Sequence, residues 1–528
     1  MTRAPLAAAI VCVLVPRASA QVTTAQYDNA RTGSDTVERH LTPRNVGPDG
    51  FGKLLTLSVE GDVYAQPLWL PHLSIPGNGV HDVLFVATEH DDVYAFDATG
   101  QSAAPLWHVA FAAPARGVLP VPSRDARCPF IRPDIGISAT PVIDTTTGTL
   151  YVLARTKESD TRGTATYVQR LHALDVHTGA EKFGGPVVIQ AAVRGTAGAA
   201  ADGRVRFDPL TENPRSALLL TNGLVYLAWA SSCDVAPYHG WVMTYDGRTL
   251  RQVGVLNTTP DGEAGGIWQG QAGLAADQEG PVFAVTGNGT FDGDVPERAA
   301  RNYGNSVLRL GRDAAVHDYF TPFNQEALNA QDLDLGSGGP VLLPPQPGRY
   351  PHLLVVGGKG GGLYVVNRDS MGRFHPGDNR HAVQVIETGR SCFGAVAYWS
   401  HHVFAWSADD VLRDYLVEGD SLRPVGRGTV QLIDPGATPT ISANGARDGI
   451  VWVIASKGWR AADQPAVLHA FDASNVAREL YTSEQHASRD RAGMTLRFSI
   501  PTVADGRVYV GTKGGIEVYG LLPTRARP

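Results

Sequence analysis

Cysteine is scarce in this 528-residue chain, with four residues, no two of them adjacent and none in a Cys-x-x-Cys-His pattern. That excludes a covalently attached haem. None of the 16 histidines falls in a His-Glu-x-x-His pattern, which removes the helical zinc-hydrolase site. Gly357 to Gly362 is glycine-rich but misses the Gly-x-Gly-x-x-Gly spacing, and no helical pattern follows, so it is not a phosphate loop. The net charge of −7 is spread without a basic stripe, which argues against a nucleic-acid partner. No stretch reaches the roughly 20 apolar residues that a membrane-spanning helix needs.

What is present at the N-terminus is a leader. Arg3, an apolar run from Leu6 to Val15 and Ala18-Ser19-Ala20 before Gln21 predict a secretory signal over residues 1–20. The expected mature protein is exported, periplasmic or extracellular, and losing Arg3 and Arg17 takes its charge from −7 to −9. Cys12 leaves with the leader, so Cys128, Cys233 and Cys392 remain. Export permits a disulfide, and three thiols leave at least one unpaired. Cys128 precedes the inner strand of one repeat and Cys233 lies between the middle strands of the next. Both loop types emerge on one face, so Cys128–Cys233 is the expected bridge.

Eight degenerate copies of one four-strand pattern fill the rest. The clearest has Val63-Tyr64-Ala65-Gln66-Pro67-Leu68-Trp69, Val83 to Thr88, Val93 to Gly100 and Leu106 to Val109. Second strands recur at Val225 to Ala228, Val282 to Val285, Leu353 to Val356, Val403 to Trp406, Val451 to Ile454 and Val508 to Val510. Inner strands carry a small residue near proline, as in Ala139-Thr140-Pro141, Gly338-Gly339-Pro340, Thr438-Pro439-Thr440 and Ser499-Ile500-Pro501. Proline survives mainly on sheet edges, and a channel-lining strand is such an edge. Blades of this kind cannot cover both faces alone, so they stack into a ring. The expected fold is all-β, an eight-bladed β-propeller of four-stranded antiparallel blades, spanning 51–522. Residues 21–50 are an irregular lead-in and 523–528 a tail. The last repeat lacks an outer strand, and Phe51 to Val59 is predicted to supply it and close the ring. Long insertions at 111–135, 190–214, 290–303 and 322–335 interrupt the pattern, and loops of that length usually carry function or cap the fold.

Third strands ending in Ala95-Phe96-Asp97-Ala98-Thr99-Gly100, Ala173-Leu174-Asp175 and Ala470-Phe471-Asp472-Ala473 resemble the repeat of quinoprotein alcohol dehydrogenases. That family implies an eight-bladed propeller binding pyrroloquinoline quinone and calcium above its channel. Trp268 to Gly289 resembles the segment with a cofactor-contacting tryptophan, Trp268, and a calcium-ligand asparagine, Asn288. Leu353 to Asp369 resembles the blade whose cation, here Lys359, approaches the quinone oxygens. Asp332-Leu333-Asp334 lies near the family's catalytic aspartate, so Asp332 or Asp334 is implied as the base. Three features depart from the family. The adjacent Cys–Cys pair is missing, the calcium-ligand glutamate position reads Val235 with Asp234 beside it, and the blade-locking tryptophans are mostly gone, Trp107 excepted.

Each of these residues also has a structural reading. Asn288 between glycines suits a turn, Lys359 a solvated bend, Trp268 a core aromatic, and Asp332 and Asp334 alternating with leucine a polar edge. Glu89, His90, Asp91, Lys157, Asp234, Asp409, Lys457 and Lys513 fall at turns on the same face as Asn288 and Lys359. They make a charged rim able to receive a small molecule or a protein. Two functions follow from the sequence: a binding or scaffold propeller without cofactor, or a divergent quinone- and calcium-dependent dehydrogenase of an alcohol or sugar.

Overall fold

β-Branched and aromatic runs bounded by turn residues become strands, and each repeat becomes one antiparallel sheet. The computed structural model describes residues 20–198, 202–278, 280–295, 299–456 and 464–523. The leader, apart from Ala20, and most of the tail lie outside the described residues, as does Lys457. Eight blades are present. Blade 1 is Leu68–Ile75, Gly79–Ala87, Asp92–Asp97 and Trp107–Ala110. Blades 2 to 7 repeat that order, with inner strands Val142–Asp144, Leu219–Thr221, Ala275–Ala276, Val341–Leu342, Ala397–Trp399 and Thr440–Asn444. Where proline punctuates the inner segment, the strand starts at or just after it. Leu68 follows Pro67, Val142 follows Pro141 and Thr502 follows Pro501, because proline has no N–H to give the ladder.

Blade 8 joins the two ends of the chain. Its inner strand, Thr502–Ala504, pairs with the start of Arg507–Leu521. The later part of Arg507–Leu521 pairs with Phe51–Asp62, from Phe51 opposite Leu521 to Ser58 opposite Gly515. The predicted closure is therefore correct. One detail differs: Arg507–Leu521 runs on as one element, so this blade has three strand segments where four were expected.

The core lies between neighbouring blades, where Trp229, Trp241, Trp406 and Trp452 are fully buried. Trp107 of blade 1 reaches across to blade 2, donating from Nε1 to the Val176 carbonyl at 3.1 Å. Cys128 and Cys233 form a disulfide between the 111–135 insertion and a blade 3 loop, and Cys392 is free and buried. The insertion also adds Val118–Pro122 and Asp134–Ile135 to blade 2.

The lead-in is irregular but not peripheral. Residues 22–34 thread the channel and bond to every blade. Val22 exchanges two backbone bonds with Trp69 of blade 1, and the Thr23 carbonyl accepts from Ile143 of blade 2. Arg31 Nη2 donates to Leu218 beside blade 3, while the Asn29 and Ala30 carbonyls accept from Ala276 and Leu342 of blades 4 and 5. Thr32 and Gly33 accept from Tyr398 and Ile441 of blades 6 and 7, and the Tyr27 hydroxyl accepts from Val503 of blade 8 at 2.7 Å. Ser34–Asp35 adds a short parallel strand to blade 7. Arg31 is fully buried, and its other donors reach the Leu274 and Ala25 carbonyls and Thr24 Oγ1. No helix among the described residues is long and apolar enough to cross a membrane.

Candidate functional site

Four loops from blades 4 and 5 meet at one mouth of the channel. The 322–335 insertion folds as the short helix Gln325–Ala330 and the turn Leu335–Ser337, and it presents Asp332 and Asp334 between them. Glycine permits this convergence. A Cβ on Gly287 would lie 2.5 Å from Asp334 Oδ1 and 2.9 Å from Trp268 Cδ1. One on Gly358 would lie 2.8 Å from the Asp334 carbonyl. Any side chain there would force the loops apart.

Asp334 is buried and shared. Its Oδ1 accepts the Asn288 N–H at 2.7 Å, and its Oδ2 lies 2.6 Å from Lys359 Nζ. Exposed Asp332 accepts from Lys359 Nζ at 3.1 Å and from Asn288 Nδ2 at 2.8 Å. Asn288 Oδ1 in turn accepts from Asn305 Nδ2 at 3.2 Å. Burial works against the Lys359 ammonium, but Asp334 and Asp332 outweigh it and hold its pKa above the ordinary value. Lys359, Asn288, Asp332, Asp334 and Trp268 therefore stand together.

Asp234 sits across the mouth, exposed, with Oδ1 accepting from the Tyr238 hydroxyl at 3.2 Å. Desolvation by the surrounding walls, then the Asp334 charge, push its carboxyl above the usual range. Tyr238 meets Trp268 edge-on at 6.1 Å.

Sequence reasoning missed the cationic side of the mouth. Arg215 lies with its guanidinium carbon 5.9 Å from the Trp268 ring and 5.4 Å from the Phe498 ring. Its Nε is shut from water without a hydrogen-bond partner. Burial lowers its pKa, against Tyr64, Glu89 and Asp234. Arg497 stacks 4.3 Å from the Phe130 ring, and burial together with Arg215 lowers its pKa to about 10. Arg215 precedes the inner strand of blade 3 and Phe498 that of blade 8, so only closure of the ring brings them together. No local pattern marks either residue.

The rim residues divide. Glu89 and Asp91 turn inward and are buried, whereas Lys157 pairs with Asp125 at 2.6 Å. A resident calcium finds a poor donor set at the mouth. Asp334 gives both oxygens to Asn288 and Lys359, and the Asn288 oxygen is taken by Asn305. Among the described residues, the set of three or more His, Cys, Asp or Glu with ligand atoms within 4.8 Å of one another lies elsewhere, at Glu60, His90 and Asp92. The Arg215 guanidinium also lies over the tryptophan that a flat quinone would need, 5.9 Å from its ring centre. The residues as arranged do not fit a resident quinone with its calcium.

No family model and no curated protein matches the sequence. In three dimensions the chain is similar to quinohemoprotein alcohol dehydrogenase from Comamonas testosteroni, with 14% identity and a TM-score of 0.59 over 96% of this chain and 81% of that one. It is similar to europium-containing methanol dehydrogenase, with 13% identity and a TM-score of 0.59 over 95% and 98%. BamB from Moraxella catarrhalis matches at 12% identity and a TM-score of 0.50 over 89% and 99%. At such identities the likeness shows the fold, a quinoprotein-like β-propeller, and leaves activity to the site.

Proposed function

We propose that this chain is an exported binding propeller whose channel mouth receives a small acidic ligand, with no resident quinone. Arg215 carries the reading. A guanidinium held between two aromatic rings is pre-organised to meet an anion. Arg497 lies close enough to Arg215 to feel its charge and adds a second cation to the mouth. Export is supported by the leader sequence over residues 1–20. A protein offering an acidic loop is the other occupant that this chemistry admits.

Calorimetry with citrate and inorganic phosphate tests this. Arg215→Met should weaken binding at least about tenfold, a loss of about 1.4 kcal/mol. The reading is sunk if neither anion binds, or if the variant binds as the parent does. A second reading, a quinone- and calcium-dependent dehydrogenase, is favoured by one observation: Lys359 couples Asp332 and Asp334 beside Asn288 and Trp268. Pyrroloquinoline quinone and Ca²⁺ should be added to the purified protein and then removed by desalting. Quinone absorbance that stays with the chain, with alcohol-dependent dye reduction, would replace the first reading.

A further inference from the structure

On the rim beside blade 1, the end of the closing strand meets the second turn of that blade. Glu60 belongs to Phe51–Asp62, His90 lies between Gly79–Ala87 and Asp92–Asp97, and Asp92 starts the latter strand. Their ligand atoms lie within 4.8 Å of one another, with His90 Nε2 3.8 Å from Glu60 Oε2. Two neighbours orient this set. Asp134, from the 111–135 insertion, lies 2.9 Å from His90 Nδ1, which places the ring proton there and leaves the Nε2 lone pair facing Glu60. His108 stacks on Tyr94 at 4.2 Å and holds Asp92 Oδ1 through Nε2 at 2.5 Å.

We infer that Glu60, His90 and Asp92 form a site for a divalent transition-metal ion of the zinc class. A carboxylate on the far nitrogen of a histidine is the usual outer support of a metal-bound imidazole. One nitrogen and two oxygen ligands suit Zn²⁺ or its first-row neighbours, whereas Ca²⁺ takes six to eight oxygens. Bonds of about 2.0–2.2 Å set tetrahedral ligands roughly 3.3 Å apart. Closing the set to that spacing moves chiefly Glu60, whose side chain is 79% exposed, while Asp92 is held in the blade. Three protein ligands leave further coordination positions for water or a ligand. The ion ties the closing strand to blade 1 through its ligands and to the insertion through Asp134.

The competing arrangement is a protonated His90 simply ion-paired between Glu60 and Asp134. Titrating the metal-free mature protein with ZnCl₂, by calorimetry and by metal analysis after dialysis, separates the two. The expected result is one Zn²⁺ per chain, a rise in melting temperature, and neither in His90→Ala. Asp134→Asn should weaken Zn²⁺ roughly 10–100-fold. Glu60→Gln, on an exposed side chain that the fold does not need, should also lower affinity, and CaCl₂ should not substitute. No Zn²⁺ uptake at millimolar concentration, or equal uptake by the parent, His90→Ala and Glu60→Gln, overturns the assignment.

Discussion

Glu89 is fully buried, its Oε2 accepting the Gly136 N–H at 2.8 Å and its Oε1 the Ser138 hydroxyl at 2.7 Å. Burial pushes its pKa up to about 7 from an ordinary 4.5. The folded state therefore binds this proton more tightly, so between pH 4.5 and 7 stability falls as pH rises. The full difference is on the order of 3 kcal/mol. Gln fits the same place, its oxygen taking Gly136 and its amide donating to Ser138. Glu89→Gln should be more stable than the parent at pH 8 and flatten the slope below 7, read by urea denaturation at both ends. A variant with the parental slope would show that Glu89 does not carry it. Lys359→Met leaves the buried Asp334 carboxylate with one donor, and should cost about 2 kcal/mol. Adding Asp334→Asn should restore part of that loss, and an additive double variant would mean the pair is not coupled. Asp334, Lys359, Asn288 and Trp268 were legible because local segments carry them. Arg215 was not, since it sits between Trp268 and a ring from the start of blade 8, and the sequence around it has no period.

At the level of elements, the closing strand was readable because the last repeat lacks an outer strand of its own. Leu55 and Leu57 share the face of Val518 and Ile516, while a bulge after Lys53 leaves Lys53 on the other face beside Glu517. Phe51 anchors it against Trp452, Tyr481 and Tyr519, at ring separations of 5.4, 4.9 and 6.4 Å. Phe51→Ala should lower stability by roughly 3–5 kcal/mol, whereas Leu54→Ala, one turn of the pleat away and 37% exposed, should change it little. Equal melting temperatures for the two variants would remove Phe51 from that role. The channel segment was unreadable for a definite reason. It binds the blades through the backbone carbonyls of Thr23, Asn29, Ala30, Thr32 and Gly33, which no side-chain pattern advertises. Arg31, which it buries fully, looks in sequence like any loop cation. Arg31→Met should cost at least about 3 kcal/mol by stranding the Leu274, Ala25 and Leu218 carbonyls, and a thermal melt within a degree of the parent would contradict this.

For the whole molecule, the repeat count and the ring followed from the strand pattern, because eight second strands need eight sheets. The bridge followed from loop faces once the ring was assumed. Cys392 is buried, and burial raises its thiol pKa to about 11, so it stays protonated and shielded. Native mature protein should take up no thiol label, and denatured, unreduced protein one per chain. Two or three labels without reductant would break the Cys128–Cys233 assignment. The threaded channel also sets an order in time. Tyr27 meets Val503, 476 residues further on, and Phe51 meets Leu521, so the first segment of the ring waits for the last to arrive. Until then seven blades stand with two raw edges and an unfilled axle, and the final step gathers contacts of the longest range the chain possesses. Assembly of that kind is slow, and so is its reverse, because freeing either end means opening the ring and withdrawing the axle together. Persistence of the folded ring would then be a matter of rate more than of equilibrium.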